Sequence, residues 1–369
     1  MPLQVTLITL GNPNRLTGGY LYHRRMAELA PRHDAHLSFM SLPDRPFPLP
    51  VLAVSRLLGR IQADVLVLDS IVAAYLSPWL VLHLLELPLV PMLHQPPGGV
   101  DHGPLRTALQ RALDRLAYTA TPRILVASES LRQQLIRQGM DRARLMVVPP
   151  GRDVAGRTGP DPGDLRRGRR MALLCVGNWL ENKGILDLLE ALARLPADAI
   201  TLHLAGDDRA DLKYAALVRQ RLMQPDLRDR VVVHGPLTVE DVAAFYQAAD
   251  VFALPSRYET YGTVYGEAMA LGLPVVGYHV GNLPYLVEHG QEGLLVEPGD
   301  IQGLARALRR LAEHSELRER LSGNARRRAL ERPTWEESAG IFFGALRSAV
   351  ESLPHPRSMR DQDGRDTGE

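Results

Sequence analysis

Short runs of Val, Leu and Ile alternate along this chain with longer segments whose apolar positions recur at helical spacing. That alternation is the pattern of parallel sheets whose strands are joined by crossover helices. In the first half, residues 3–10, 35–40, 64–69, 89–94, 123–127 and 145–148 read as strands. Residues 19–30, 52–62, 71–85, 105–118 and 129–138 between them read as helices. The pattern predicts one doubly wound α/β domain over residues 1–150.

Residues 151–170, GRDVAGRTGPDPGDLRRGRR, break the pattern with Gly, Pro and Arg and almost no apolar side chains. They read as a domain linker that cannot contribute to a core. Strand-like runs then resume at 172–176, 200–204, 230–234, 251–254, 274–277 and 293–296, with helices beginning near Lys183, Ala210, Val239 and Thr263. This second parallel-sheet domain is expected over 171–333, with charged helices at 300–312 and 315–330. Residues 334–353 carry a helical stripe through Trp335, Ile341, Phe342 and Leu346, which suits a helix packing back on the first domain. From 354 to 369 apolar residues are nearly absent, the composition of a disordered tail.

Composition narrows the function classes. Forty-three Lys and Arg oppose forty-two Asp and Glu, so net charge makes no case for nucleic acid as a partner. Cys175 is the single cysteine, which excludes an intrachain disulfide framework and fits a reducing cytoplasm. The N-terminus enters a strand-like run without signal-peptide features. The most apolar stretch, 71–93, is interrupted by Ser77, Pro78, His83, Glu86 and Pro88, whereas a membrane-spanning helix needs roughly 20 mostly apolar residues. Arg106, Arg111 and Arg115 stand among Leu and Ala at helical spacing. A solvated helix face is the preferred reading, and peripheral contact of the N-terminal domain with an anionic membrane is the alternative.

The segment richest in candidate chemistry is PSRYETYGTVYGEAMALGLPVV, residues 255–276, between two expected strands. Ligands of open α/β sheets bind beyond the carboxyl ends of the strands, and this loop leaves such an end. Gly262 permits close backbone approach, and Thr263 suits an N-cap, so the first amides of the next helix, at Thr263 and Val264, would offer an anion site. Glu259 and Glu267 flank that site. Carboxylates beside a diphosphate repel it, so they make sense as acceptors for hydroxyls, Glu267 from a ribose and Glu259 from a sugar ring. The competing reading makes Glu259 a backbone cap and Glu267 a solvated helix residue. Lys183 opens a helix, where its charge opposes the dipole unless an anion compensates.

The whole segment resembles the E-x7-E signature of glycosyltransferase family 4, with its Pro-Ser loop, two glutamates, Ala-Met-Ala and Gly-x-Pro-Val in order. The resemblance covers most of the chain and is strongest over 173–298. It takes in VGNWLENKGILDLLEAL, LHLAGDD and VVVHGPLTVEDVAAFYQAADVFALPS. In the first half TGGYLYHRRMAELA, PMLHQP, VASESLRQQLIRQG and VVPPGRD match more loosely. The resemblance implies two Rossmann-like domains facing across a cleft, the GT-B arrangement. It implies a retaining transfer of sugar from a nucleotide-diphosphate sugar, UDP- or GDP-linked, to a hydroxyl acceptor. By position it assigns Lys183 to the donor diphosphate, Glu267 to ribose, Glu259 to a sugar hydroxyl and His94 to the reacting sugar. Gly18 and Gly19 would approach the phosphate, and Gly235 and Leu237 would hold the nucleobase. His94 reads equally well as a core or loop histidine, and the glycine pair as turn punctuation.

One departure stands out: the family's arginine five residues before the lysine is Asn178 here, which donates a hydrogen bond but brings no charge. Arg209 and Arg257 are the candidate substitutes. No Asp-x-Asp metal site stands out, since Asp361-Gln362-Asp363 lies in the tail and Asp207 reads as a loop or cap residue. No metal or other cofactor is expected. The acceptor, whether polysaccharide, lipid or small metabolite, is not legible. Retaining glycosidases place two carboxylates about 5 Å apart around the scissile bond, which suits Glu259 and Glu267 less well. A dinucleotide oxidoreductase is disfavoured by the missing phosphate fingerprint. A catalytically idle nucleotide-binding or scaffold protein, suggested by Asn178, stays as the alternative.

Overall fold

The structure, a computed structural model, describes residues 1–13, 18–59, 61–82, 87–99, 103–119, 121–152 and 159–352. The expected tail, 354–369, and part of the expected linker, 153–158, lie outside them. Two six-stranded sheets carry the fold, and the strand pairings described in each are parallel. Every strand falls within a residue or two of an apolar run in the sequence, and the central strands are apolar almost throughout because both their faces are covered. Contacts group Met1–Leu125, Ala143–Met146 and the last helix from Ala339 onward into one compact unit. Val126–Arg142 and Val147–Ser338 form the other, so the partition is not a single cut at 150.

The first sheet contains β1 Leu3–Leu10, β2 Ala35–Leu42, β3 Val65–Asp69, β4 Leu89–Leu93, β5 Ile124–Val126 and β6 Leu145–Val147, in the order β2-β1-β3-β4-β5-β6. Val65, Leu66, Val67 and Leu68 are wholly buried at its centre. Helix Gly18–Leu29 covers one region of it with Tyr22 and Met26. The last helix, Trp335–Glu351, packs in this unit: Phe342 meets Tyr22 edge-on at 6.4 Å, Phe343 stacks on His33 at 5.6 Å, and Arg347 donates to His33 O. The buried stripe of that helix runs through Ala339, Phe342, Phe343 and Leu346, whereas Ile341 is 40% exposed. Phe343 occupies the place that helical spacing had given to Ile341.

The second sheet contains β7 Met171–Val176, β8 Ile200–Ala205, β9 Val231–Gly235, β10 Val251–Ala253, β11 Val275–Tyr278 and β12 Gly293–Val296. Its order is β12-β11-β10-β7-β8-β9, so the winding changes direction between β7 and β10. In a doubly wound sheet that junction leaves a crevice at the carboxyl ends of the strands. One continuous core joins Leu173, Leu188, Phe252, Tyr265, Met269, Leu304 and Leu308.

The described part of the expected linker is not a bare connector. Leu165 is buried, and its carbonyl pairs with His203 Nε2 at 2.8 Å. Arg166 forms an ion pair with Asp250, and its carbonyl accepts from Thr201 Oγ at 2.7 Å. A single leucine and fixed arginine heads are enough to seal this segment onto β8, which composition alone did not convey.

Candidate functional site

The candidate residues of the second unit follow the carboxyl ends of β7, β9 and β10. After β7 the chain turns through Asn178, whose Oδ1 accepts from Asp207 N at 3.1 Å, and Trp179 N donates to Asp207 O at 2.9 Å. A 3-10 turn, Glu181–Lys183, then leads to helix Ile185–Ala193. Lys183 therefore precedes the helix and does not open it. Between them Gly184 sits at φ +66°, and a Cβ there would overlap the carbonyl of Pro255. That close approach draws the 255–259 loop onto the turn. Lys183 Nζ reaches Glu259 Oε2 at 3.2 Å, with the two side chains 23% and 10% exposed. The two residues assigned to diphosphate and sugar thus form a pair.

Helix Thr263–Ala270 begins beside this pair, and its N-cap is Gly262, not Thr263. Gly262 adopts φ +89°, and an added Cβ would lie 2.8 Å from Leu286 Cδ1, so both backbone and space demand glycine. The first intrahelical bonds run from Tyr265 N and Gly266 N to Gly262 O. Thr263 and Val264 amides lie ahead of that ladder, and no side chain caps them. Thr263 is exposed, as an anion site requires. Glu267, one turn further in, accepts from Tyr246 OH at 3.3 Å. Burial and the neighbouring Glu267 charge push the Tyr246 phenol well above its ordinary range, so it remains a donor.

Gly235 ends β9 at φ +69°, its carbonyl accepting from Gly206 N at 2.8 Å, with half-buried Leu237 two residues on. Of the two cations considered as substitutes for the missing arginine, Arg257 is engaged elsewhere. It grips Asp187 at 2.9 Å, and Tyr278 OH donates to the same carboxylate at 2.9 Å. Arg209 is exposed beside Asp207, whose Oδ1 accepts from Arg209 N at 2.9 Å in the manner of a turn residue. Among the described residues no cluster of three or more His, Cys, Asp or Glu is arranged to hold a metal.

In the first unit His94 follows β4 and belongs to a buried polar cluster at the ends of β1, β3 and β4. His23 Nε2 lies 3.2 Å from Asp69 Oδ2, and Thr9 Oγ1 donates to the same oxygen at 3.0 Å. The His23 and His94 rings meet edge-on at 4.8 Å, and Tyr22 packs on His94 at 4.9 Å. Gly19 lines this site: a Cβ there would lie 3.5 Å from the His94 ring. Gly18 is exposed and contacts nothing comparable. Burial and the proximity of His23 lower the His94 pKa to about 3, so the ring is neutral at physiological pH. Its Nε2 is buried with no protein partner. Burial works to raise Asp69, but His23, together with His94 and the Ile71 amide, outweighs it and holds the carboxyl at about 2.

Hydrophobic periodicity singled out neither His23 nor Asp69. One signal was present: Asp69 ends an otherwise apolar strand, as His94 nearly does, and a charged residue at the carboxyl end of a buried parallel strand faces the ligand side of the sheet. His23 becomes visible only once its helix lies over that edge.

Comparison with known proteins agrees with this architecture. Residues 2–155 match the family described as Glycosyltransferase Family 4, and residues 170–314 match Glycosyl transferases group 1. A D-inositol 3-phosphate glycosyltransferase of Xylanimonas cellulosilytica is 32% identical over 293 residues, 75% of this chain and 70% of that protein. Among solved structures, the sucrose-phosphate synthase of Thermosynechococcus elongatus superposes with a TM-score of 0.79 at 21% identity, covering 95% of this chain and all of that one. The Anabaena Alr3699/HepE protein in complex with UDP and glucose gives 0.76 at 21% identity, covering 94% of this chain and all of that one. Both are likenesses of fold, of GT-B type. Sequence match and architecture together make this chain a member of glycosyltransferase family 4.

Proposed function

We propose that the chain moves a sugar from a UDP- or GDP-linked donor to a hydroxyl acceptor, with retention at the anomeric carbon and no resident metal. The observation that carries the proposal is the placement of the Lys183 ammonium and the uncapped start of helix Thr263–Ala270 around Glu259 at the β7/β10 junction. Breaking the anomeric C–O bond leaves negative charge on the diphosphate, and preorganised donors stabilise such charge most effectively. Lys183 and the Thr263 and Val264 amides supply them. Glu259 would exchange its contact with Lys183 for a sugar hydroxyl, and Glu267, held by Tyr246, would accept from a ribose. Gly235 and Leu237 would border the base. His94, neutral and with Nε2 unpaired, would hydrogen-bond the reacting sugar, with Gly19 keeping the approach to it open.

Family membership supports the retaining reading, in which the acceptor hydroxyl would enter on the leaving-group face and a donor phosphate oxygen would take its proton. That route needs no side-chain nucleophile. The UDP named for the Anabaena neighbour supports a nucleotide donor here.

Calorimetry with UDP and GDP tests the reading. One of the two should bind, binding should disappear in a folded Lys183→Ala variant, and the matching nucleotide sugar should be slowly hydrolysed in chelator without loss of rate. Binding unaffected by Lys183→Ala, or no binding of either nucleotide, would sink it. Binding without hydrolysis or transfer would favour the second reading, a catalytically idle nucleotide-binding protein, for which Asn178 in the arginine position is the motivation.

A further inference from the structure

Helix Pro104–Thr119 in the first unit is amphipathic in the inverted sense. Its buried residues are Gln110, Asp114, Ala117 and Tyr118, while Leu105, Leu109 and Leu116 are 84%, 52% and 47% exposed. At about 100° per residue, Leu105, Leu109, Ala112 and Leu116 fall within an arc of about 60°, opposite Gln110 and Asp114. Arg106 lies along one side of that stripe and Arg111 and Arg115 along the other, all three exposed. Asp114 is the helix's single carboxylate and it is buried, so apart from Thr119 at its end the outward face is cationic and apolar.

The helix is held in this rotation. Asp114 Oδ2 accepts from Gly98 N at 2.8 Å, and Arg111 Nε donates to Pro97 O at 3.4 Å. Gly98 packs so closely that a Cβ would lie 2.8 Å from Thr107 O. Rolling the leucines inward would break the Asp114 bond and drive Thr107 into that turn. Arg106 also lies over the Phe47 ring at 5.7 Å, which sets the 47–52 segment, with Leu52 70% exposed, beside the start of the helix.

We propose that this face docks on an anionic lipid surface, the leucine stripe entering the headgroup boundary and the arginines pairing with lipid phosphates. The charge pattern argues for lipid over a protein partner. A stripe of leucines bordered by guanidinium groups, on a helix without an exposed carboxylate, matches an interface that is apolar below and negative above. No helix among the described residues is long and apolar enough to cross a membrane, so the contact is peripheral. The proposal stands on exposure and charge alone and does not depend on the transferase chemistry.

Cosedimentation of the full chain with vesicles of phosphatidylglycerol and phosphatidylcholine, against phosphatidylcholine alone, tests it. Binding to the anionic vesicles should be at least tenfold stronger and should weaken with salt. It should be lost in a Leu105→Ser, Leu109→Ser, Leu116→Ser variant and weakened at least tenfold in Arg106→Gln, Arg115→Gln, with Arg326→Gln as an unaffected control. The leucines lie outside the core, so an unchanged thermal transition is expected. Equal binding to both vesicle types, or leucine and arginine variants that bind like the wild type, would overturn the proposal. So would light scattering that shows a dimer which the leucine variant converts to monomer, because the stripe would then join two copies of this chain.

Discussion

At the residue scale, Glu259 and Lys183 hold each other until a ligand separates them. Their contact at 3.2 Å is largely shielded from solvent, and a diphosphate arriving at Lys183 meets the Glu259 charge as well. Glu259→Gln should therefore tighten binding of a bare nucleoside diphosphate by about fivefold, about 1 kcal/mol. The same variant should weaken binding of the sugar-bearing donor, where the carboxylate gains a hydroxyl. Titration of both ligands checks this, and a change of the same sign for both would contradict the assigned role. In the first unit, Asp69→Asn replaces the buried carboxylate that faces His23 and accepts from Thr9 Oγ1 by a weaker acceptor, and a cost of about 1–3 kcal/mol is expected from urea unfolding. His94 adds a pH dependence with a definite sign. Its folded pKa of about 3 lies below the ordinary 6.5, so the unfolded chain binds more protons between those values and stability falls as pH drops through that window. A His94→Asn variant should gain on the wild type by at most about 2 kcal/mol between pH 7.5 and pH 5, read from urea midpoints.

At the element scale, the helix Pro104–Thr119 pulls the other way. Burial raises Asp114 from 3.8 to about 7, so the folded state holds the extra proton and its stability falls as pH rises from about 4 to 7. Asp114→Asn keeps an acceptor for Gly98 N without the charge, so its advantage over the wild type should grow between pH 5 and pH 8. Melting curves across that range decide, and a constant difference would mean that Asp114 does not titrate there. In the wild type the His94 and Asp114 effects oppose each other between pH 4 and 6.5, so each shows clearly only against its own variant. Elements were legible where one periodicity dominated: central strands such as β3, β4, β7 and β10 are almost wholly apolar and buried, while the edge strand β2 alternates through exposed His36 and Ser38. Their ends were less legible. Thr263 has the chemistry of a cap, yet Gly262 caps the helix because only glycine fits at φ +89° beside Leu286. Lys183 sits in a 3-10 turn that periodicity does not separate from the helix after it.

For the whole molecule, chain order and spatial grouping part company. The last helix completes the core of the first unit, although the chain runs from Val147 to Trp335 between β6 and its start. Phe342 is wholly buried against Tyr22, so Phe342→Ala should cost about 3–5 kcal/mol. Denaturant unfolding followed by near-UV absorbance would register it, and a loss under 1 kcal/mol would mean that the first unit does not need this helix.

Hydrophobic pattern by itself determined the two parallel sheets, their strands and the site-bearing loop between β10 and β11, because burial on both faces of a sheet leaves a local record in composition. The E-x7-E segment likewise carried the family. Tertiary structure alone decided that Lys183 pairs with Glu259, that Arg257 is taken by Asp187, that His23 and Asp69 surround His94, and that Leu165 seals part of the linker. It also decided which side of helix Pro104–Thr119 faces out. These are contacts between residues distant in sequence or choices of helix rotation, and no local periodicity encodes them.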